Sequence, residues 1–280
     1  MDGVVIINKP KGYTSNDIVQ ITKKTLKQKK VGHAGTLDPM ATGVLPILIG
    51  QGTKISKYLI EHKKTYIATI KLGQKTDTAD AEGTVIEQKE VKKFSKEDII
   101  SVLNSFKGIQ RQKPPKYSAI KVNGKKLYEY ARENEQIEIA SREIEIYGID
   151  LKDYTEDTIT YQVECSKGTY IRTLSEDIAQ KLGTVGYMKK LTRTKVNEFE
   201  LEQAIELEEI EKDFSILTIE EIFNKNSEII LSEKKLQLFL NGVKLTYNNP
   251  NGVYRIYCEN KFIGLGVIEN NLLKRDVVIL

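Results

Sequence analysis

Residues 64–72, KTYIATIKL, set Tyr66, Ala68, Ile70 and Leu72 in alternation with Thr65, Ile67, Thr69 and Lys71. A period of two is the pattern of a strand with one face buried, so this stretch predicts a strand. Further strand-like runs fall at 4–8, 84–91, 117–122, 143–151, 158–165 and 185–200, with the TDTADAEG loop joining 64–72 and 84–91 as a hairpin with a long connection. Helices are expected from Thr14 or Ser15 to about Leu26, over 52–61, from Ser95 to Lys107 with Asp98 at the capping-box position, just after the Asn123-Gly124 turn, and over 170–182. Strands and helices mix without regular βαβ spacing, which predicts an α+β fold with a mixed sheet and not a doubly wound one.

The end of the chain reads differently. Acidic, helical segments are expected over 202–224, then a short helix in SEKKLQLFLNG closed by Gly242, then strands near 252–258, 262–268 and 272–279. That pattern divides the chain into a large domain, 1–225, and a small β-rich domain, 226–280.

Charge is unevenly spread. Residues 1–75 carry thirteen lysines against four acids, residues 198–228 two lysines against eleven acids, and the whole chain is only +4. A basic N-terminal third suits a polyanion, since neutralised phosphates release counterions, although a solvated lysine-rich face would look the same. The acidic tract then reads as a hinge or a face turned from the ligand. Cys165 and Cys258 form no metal-type pair and read as buried small hydrophobes. No apolar run is long enough to span a bilayer and the N-terminus lacks a signal-peptide layout, so a cytoplasmic protein is expected.

Within HAGTLDPMATGVL at 33–45, a stretch too dense in Gly and Pro for a regular element, Asp38 is the only charged residue between Lys30 and Lys54. An isolated carboxylate can serve as nucleophile or base if a positioned cation keeps it ionised. It can equally be an Asx-type turn residue before Pro39, and the local sequence leaves both open. With two histidines, His33 and His62, neither a histidine-rich metal site nor a Ser-His-Asp triad assembles readily. TDTADAEG lacks the ligand spacing of an EF-hand and reads as a structural or RNA-adjacent loop, and no nucleotide-type glycine pattern implies a cofactor.

Five blocks in order, NKPKGYTSND at 8–17, GHAGTLDPMATGVLPI at 32–47, KTYIATIKLGQKTDTADAEG at 64–83, PPKYSAIKVNGKKLYEYAR at 114–132 and CSKGTYIRTLSEDI at 165–178, resemble TruB-type tRNA pseudouridine synthases. The resemblance covers roughly residues 1–200. It implies a mixed, largely antiparallel sheet with a catalytic cleft, a short PUA-like RNA-binding domain at the C-terminus, and isomerisation of uridine 55 in the tRNA T arm. It implies Asp38 as nucleophile, Tyr66 stacking on the target uracil, and Arg172 pairing with the aspartate. Tyr170 and Leu191 would line the uridine pocket, His33 would enter the RNA stem-loop, Lys9 and Pro10 would shape the site, and Lys54 would lie near the RNA. No cofactor, guide RNA, membrane or obligate protein partner is expected, and the chain is expected to act as a monomer. A guide-dependent relative, a non-catalytic RNA-binding protein and a two-carboxylate glycosidase are the rivals. Asn197 stands where the family usually has glycine, and Asn tolerates the positive φ that such a turn needs.

Overall fold

The computed structural model describes residues 1–279 apart from Ala119, Asn134, Gln136 and Asp213. In chain order the principal strands are β1 (Gly3–Lys9), β2 (Val31–His33), β3 (Thr42–Ile49), β4 (Lys64–Leu72), β5 (Gln74–Thr76), β6 (Val85–Gln88), β7 (Gly108–Gln112), β8 (Arg142–Tyr154), β9 (Thr158–Cys165), β10 (Gly186–Val196), β11 (Gly252–Cys258), β12 (Lys261–Glu269) and β13 (Leu272–Val278). The helices are α1 (Ser15–Thr25), α2 (Ser56–Ile60), α3 (Lys96–Asn104), α4 (Leu127–Arg132), α5 (Ile171–Lys181), α6 (Ile219–Ile222) and α7 (Glu233–Leu240).

The period-two strand β4 lies in the middle of a mixed sheet. Its path runs from the two-residue strand Ile205–Glu206 through β1, β3, β10, β4, β9 and β8 to β7. All pairs on this path are antiparallel except Ile205–Glu206 with β1 and β10 with β3. Tyr66, Ala68, Ile70 and Leu72 turn one face of β4 into a core completed by Ile99 and Leu103 of α3 and Ile171, Leu174 and Ile178 of α5. Full burial of each large aliphatic side chain contributes about 1.5–3 kcal/mol, so these helix stripes fix α3 and α5 on the sheet. Both α1 and α3 begin with capping boxes, Thr14 with Asp17 and Ser95 with Asp98, each cap being worth about 1 kcal/mol.

Strands β1 and β3 are covered on both faces, which explains their unbroken apolar runs. Val5, Ile7, Leu45, Ile47 and Ile49 meet Ile18 and Val19 of α1. Val4, Ile6, Val44 and Leu48 face the opposite side, against Phe223 and against Leu265 and Val277 of the C-terminal sheet. That second sheet has five strands, in the order Glu228–Ile230, β11, β12, β13, Leu245–Thr246. It is docked on α2, where Asp276 accepts from the Tyr58 hydroxyl and pairs with Lys57. Both cysteines are buried, and Asn197 holds φ +54° in the turn after β10. No described helix is long and apolar enough to cross a membrane.

Four expectations need correction. The Gly-rich segment is a loop only over 34–41, because Val31–His33 and Thr42–Ile49 flank it as strands; burial of β3 on both faces removes the alternation that marks a strand. The run at 84–91 shortens to β6, which pairs with β5 and not with β4. Both edges of β4 are already occupied, by β9 and β10. The acidic tract 202–224 is mostly not α-helix: 3₁₀ turns at Leu201–Gln203 and Leu207–Glu211 precede the four-residue α6. Capping boxes at Glu200, Glu206 and Thr218 restart the chain every few residues, so no helix propagates. The strand expected at 117–122 is confined to Lys121–Val122, with Ala119 outside the described residues.

Gly43 marks the closest approach of β3 and β10. Its φ is +106°, and a Cβ there would lie 2.2 Å from the Arg193 carbonyl oxygen. Gly43→Ala therefore combines backbone strain with a backbone clash, and urea unfolding is expected to show a loss of at least about 2 kcal/mol.

Candidate active site

A cleft of about 670 Å³ opens beside residues 33–39 of the Gly-rich segment, between β4, β10 and the start of α5. Asp38, His33, Tyr66, Tyr170, Arg172 and Leu191 all line it. The loop carrying Asp38 is tied down on both sides. Leu37 donates its N–H to the Ser15 hydroxyl at 2.8 Å, the Asp38 carbonyl accepts from Ala41 at 3.0 Å, and the Pro39 carbonyl accepts from the Gly12 N–H at 2.8 Å.

Lys9 reaches the same loop from behind the cleft. It is completely buried, and its Nζ donates to the carbonyls of Pro10, Tyr13 and Pro39 at 2.8, 2.7 and 3.3 Å. Burial lowers its pKa to about 8, with nearby Asp38 opposing. Lys9 thus holds the loop through the Pro39 carbonyl, Pro10 supplies another acceptor for its ammonium, and neither lines the cleft. Lys54 is exposed at the junction with the C-terminal sheet, where its Nζ donates to the Val278 carbonyl at 2.6 Å.

Arg172 is brought to Asp38 by the first turn of α5. No side chain caps that helix; instead Gln112, buried on β7, clamps Tyr170 through both of its amide atoms, at 2.8 Å to the N–H and 3.0 Å to the carbonyl. Arg172 then engages Asp38 with two nitrogens, Nε to Oδ2 at 3.0 Å and an Nη to Oδ1 at 3.3 Å. The guanidinium also donates to the carbonyls of Tyr117 at 2.9 Å and Thr78 at 3.3 Å, and its other Nη lies 3.5 Å from Asp80. Such a fork satisfies several acceptors in one plane, which a lysine cannot do.

Asp80 comes from the TDTADAEG loop and is itself held, by the Thr78 hydroxyl at 2.6 Å and the Glu82 N–H at 3.1 Å. One cation therefore sits between two carboxylates. Burial pushes the Asp38 carboxyl above the usual aspartate range, Arg172 opposes that shift, and Asp80 adds to it. The result is a carboxylate that is paired yet less stabilised than an exposed one, as a nucleophile or base requires.

The other walls are aromatic, apolar and cationic. Tyr66 on β4 is 7 % exposed, with its phenol pushed up to about 12 by burial. Leu191 stands opposite Ala68 in the β10 ladder. Burial likewise raises the Tyr170 phenol. The His33 ring has a buried Nδ1 without a hydrogen-bond partner, and burial followed by the charge of Arg193 keeps it neutral to lower pH. The sequence reading missed Asp80, Gln112 and Arg193. The DTAD spacing was a visible signal for Asp80; the other two depend on strand register. Among the described residues no cluster of His, Cys, Asp and Glu could hold a metal ion.

Residues 23–171 match the family model described as TruB family pseudouridylate synthase (N terminal domain). Residues 172–225 match the tRNA pseudouridylate synthase B C-terminal domain, and residues 227–279 match Pseudouridine synthase II TruB, C-terminal. A Clostridium tetani protein named tRNA pseudouridine synthase B is 44% identical over 275 residues, covering 95% of each chain. A Francisella tularensis protein of the same name is 42% identical over 281 residues, covering 98% of this chain and 93% of its own. Among solved structures, a chain of "Structure of H/ACA RNP bound to a substrate RNA containing 2'-deoxyuridine" superposes with a TM-score of 0.72 at 21% identity, over 99% of this chain and 85% of that one. At that identity the likeness concerns the fold.

A mixed sheet with a β-rich C-terminal unit, and a cleft at the sheet's centre, is the fold of a pseudouridine synthase, an isomerase class. The chain belongs to the TruB family of pseudouridylate synthases.

Proposed function

We propose that the chain converts uridine 55 in the T arm of tRNA to pseudouridine, with Asp38 as nucleophile on a flipped-out uridine. The observation that carries the reading is the Asp38 carboxylate, held by two nitrogens of Arg172 at the mouth of a cleft walled by Tyr66. The relatives named tRNA pseudouridine synthase B support tRNA as the substrate. Residues 1–225 act as the catalytic domain and residues 226–280 as a PUA-like RNA-binding domain.

The reaction breaks the N1–C1′ bond, turns the base and forms a C5–C1′ bond; C5 loses its proton and N1 gains one, with no oxidation. A stacked base is out of reach, so the enzyme extrudes it, at a cost of a few kcal/mol offset by stacking and phosphate contacts. Tyr66 stacks on the uracil, Tyr170 and Leu191 close the pocket, and His33 fills the stem-loop left by extruded bases. Lys54 and the other N-terminal lysines attract the RNA backbone. The chain works as a monomer in the cytoplasm without guide RNA.

Because protonated Asp38 cannot attack, the rate should fall on acidification. With its pKa raised, the acid limb lies above the range in which an exposed aspartate titrates. A pH profile of the single-turnover rate checks this, and a rate flat through the whole acidic range is the contrary result. The site itself is tested by incubating an unmodified tRNA transcript with the purified chain and mapping pseudouridine by mass spectrometry of nuclease fragments. The product is expected at position 55, and modification elsewhere with none at 55 overturns the assignment.

A further inference from the structure

Arg193 is a buried cation that the chemistry above does not use. Its side chain is completely inaccessible, and its pKa is lowered by burial with only Tyr66 opposing. Burying a guanidinium without a carboxylate costs several kcal/mol unless its donors are otherwise satisfied. Here they go to the Asp38 loop and the strand that leaves it: the two Nη to the loop carbonyls of Thr36 at 3.3 Å and Gly35 at 3.1 Å, and Nε to the Val44 carbonyl of β3 at 2.8 Å.

The register explains why this position can do so. Arg193 pairs in the sheet with Gly43 on one side and with Tyr66 on the other. Arg193 and its neighbour Thr192 stand at the two rungs of β10 that touch both the strand leaving the Asp38 loop and the strand bearing Tyr66, and at Arg193 the partner on the second strand is Tyr66 itself. Tyr66 is the direct cross-strand partner of Arg193, on the same face of the sheet, and a guanidinium has donors only, so toward Arg193 the phenolic oxygen can only accept. The Tyr66 proton is then left to point elsewhere.

We propose that Arg193 is a positioning residue of this active site, whose guanidinium fixes the Asp38 loop and the Tyr66 ring relative to each other and acts on the reaction through them. The inference rests on the activity proposed above. Small displacements of a catalytic group cost rate steeply, up to about 100-fold for about 1 Å.

The test compares Arg193→Lys and Arg193→Met with wild type in single-turnover tritium release from C5-labelled tRNA, alongside filter-binding affinity and thermal melting. Arg193→Lys keeps a charge but loses the planar fork, and is expected to be at least about tenfold slower; Arg193→Met is expected to be about 100-fold slower. Both should bind RNA within about threefold of wild type, because a buried positioning group does not touch it. The rate losses of Arg193→Lys and Tyr66→Phe should combine to less than their product. Wild-type speed in Arg193→Lys, losses that multiply independently, or affinity falling in step with rate overturns the inference. If Arg193→Met does not melt cooperatively, Arg193→Lys decides. Release by wild type in the same assay separates failure here from failure of the activity itself.

Discussion

Replacing Asp38 with Asn should reduce tritium release from C5-labelled tRNA by at least about 1,000-fold, since loss of a nucleophile removes the covalent route. The substitution is nearly isosteric, and Arg172 keeps Asp80 and two carbonyls as partners. The fold should therefore melt at close to the wild-type temperature. Affinity for RNA should be unchanged or tighter, because a negative charge has been taken out of a cleft that receives a polyanion. That combination, lost turnover with kept or improved binding, separates a chemical role from a structural one. An Asp38→Asn protein with wild-type turnover would show that the carboxylate does not react.

Arg172→Lys is the second large effect. The charge is preserved, but an ammonium is a single point and cannot reach both Asp38 oxygens together with the carbonyls of Thr78 and Tyr117. A fall of at least about 100-fold in the single-turnover rate is expected. Arg172 is also the largest influence lowering the Asp38 pKa, against the burial that raises it. Weakening that contact moves the acid limb of the pH profile further upward. A conserved rate in Arg172→Lys would mean that only net charge matters at this position.

How much of this was legible from residues alone depended on how local each feature is. Strand β4 announced itself because one face is buried and the other is not. Strand β3 did not, because both faces are covered and Gly43 and Gly50 punctuate its ends. The partner of Asp38 is 134 residues away in sequence, so no spacing rule reaches it; only the resemblance of several blocks together pointed to Arg172. Asp80 sat in a loop read as structural or RNA-adjacent, and its burial against Arg172 exists only in the folded chain. Arg193 looked like one basic residue in a lysine-rich strand. Its neighbours follow from a parallel rung with Gly43 and an antiparallel one with Tyr66, and register is a property of the whole sheet. The capping box at Ser95 was legible and a helix follows it, whereas the acidic tract expected to be helical forms turns too short to propagate.

The most direct measurement is tritium release by the purified chain alone, acting on an unmodified tRNA transcript labelled at C5 of uridine 55 only, with wild type and Asp38→Asn in parallel. The expected result is release approaching one tritium per tRNA by wild type, with no added guide RNA or protein, and none above background from Asp38→Asn on the same time scale. Absence of release by wild type, or equal release by both proteins, would contradict the assignment of uridine isomerisation to Asp38.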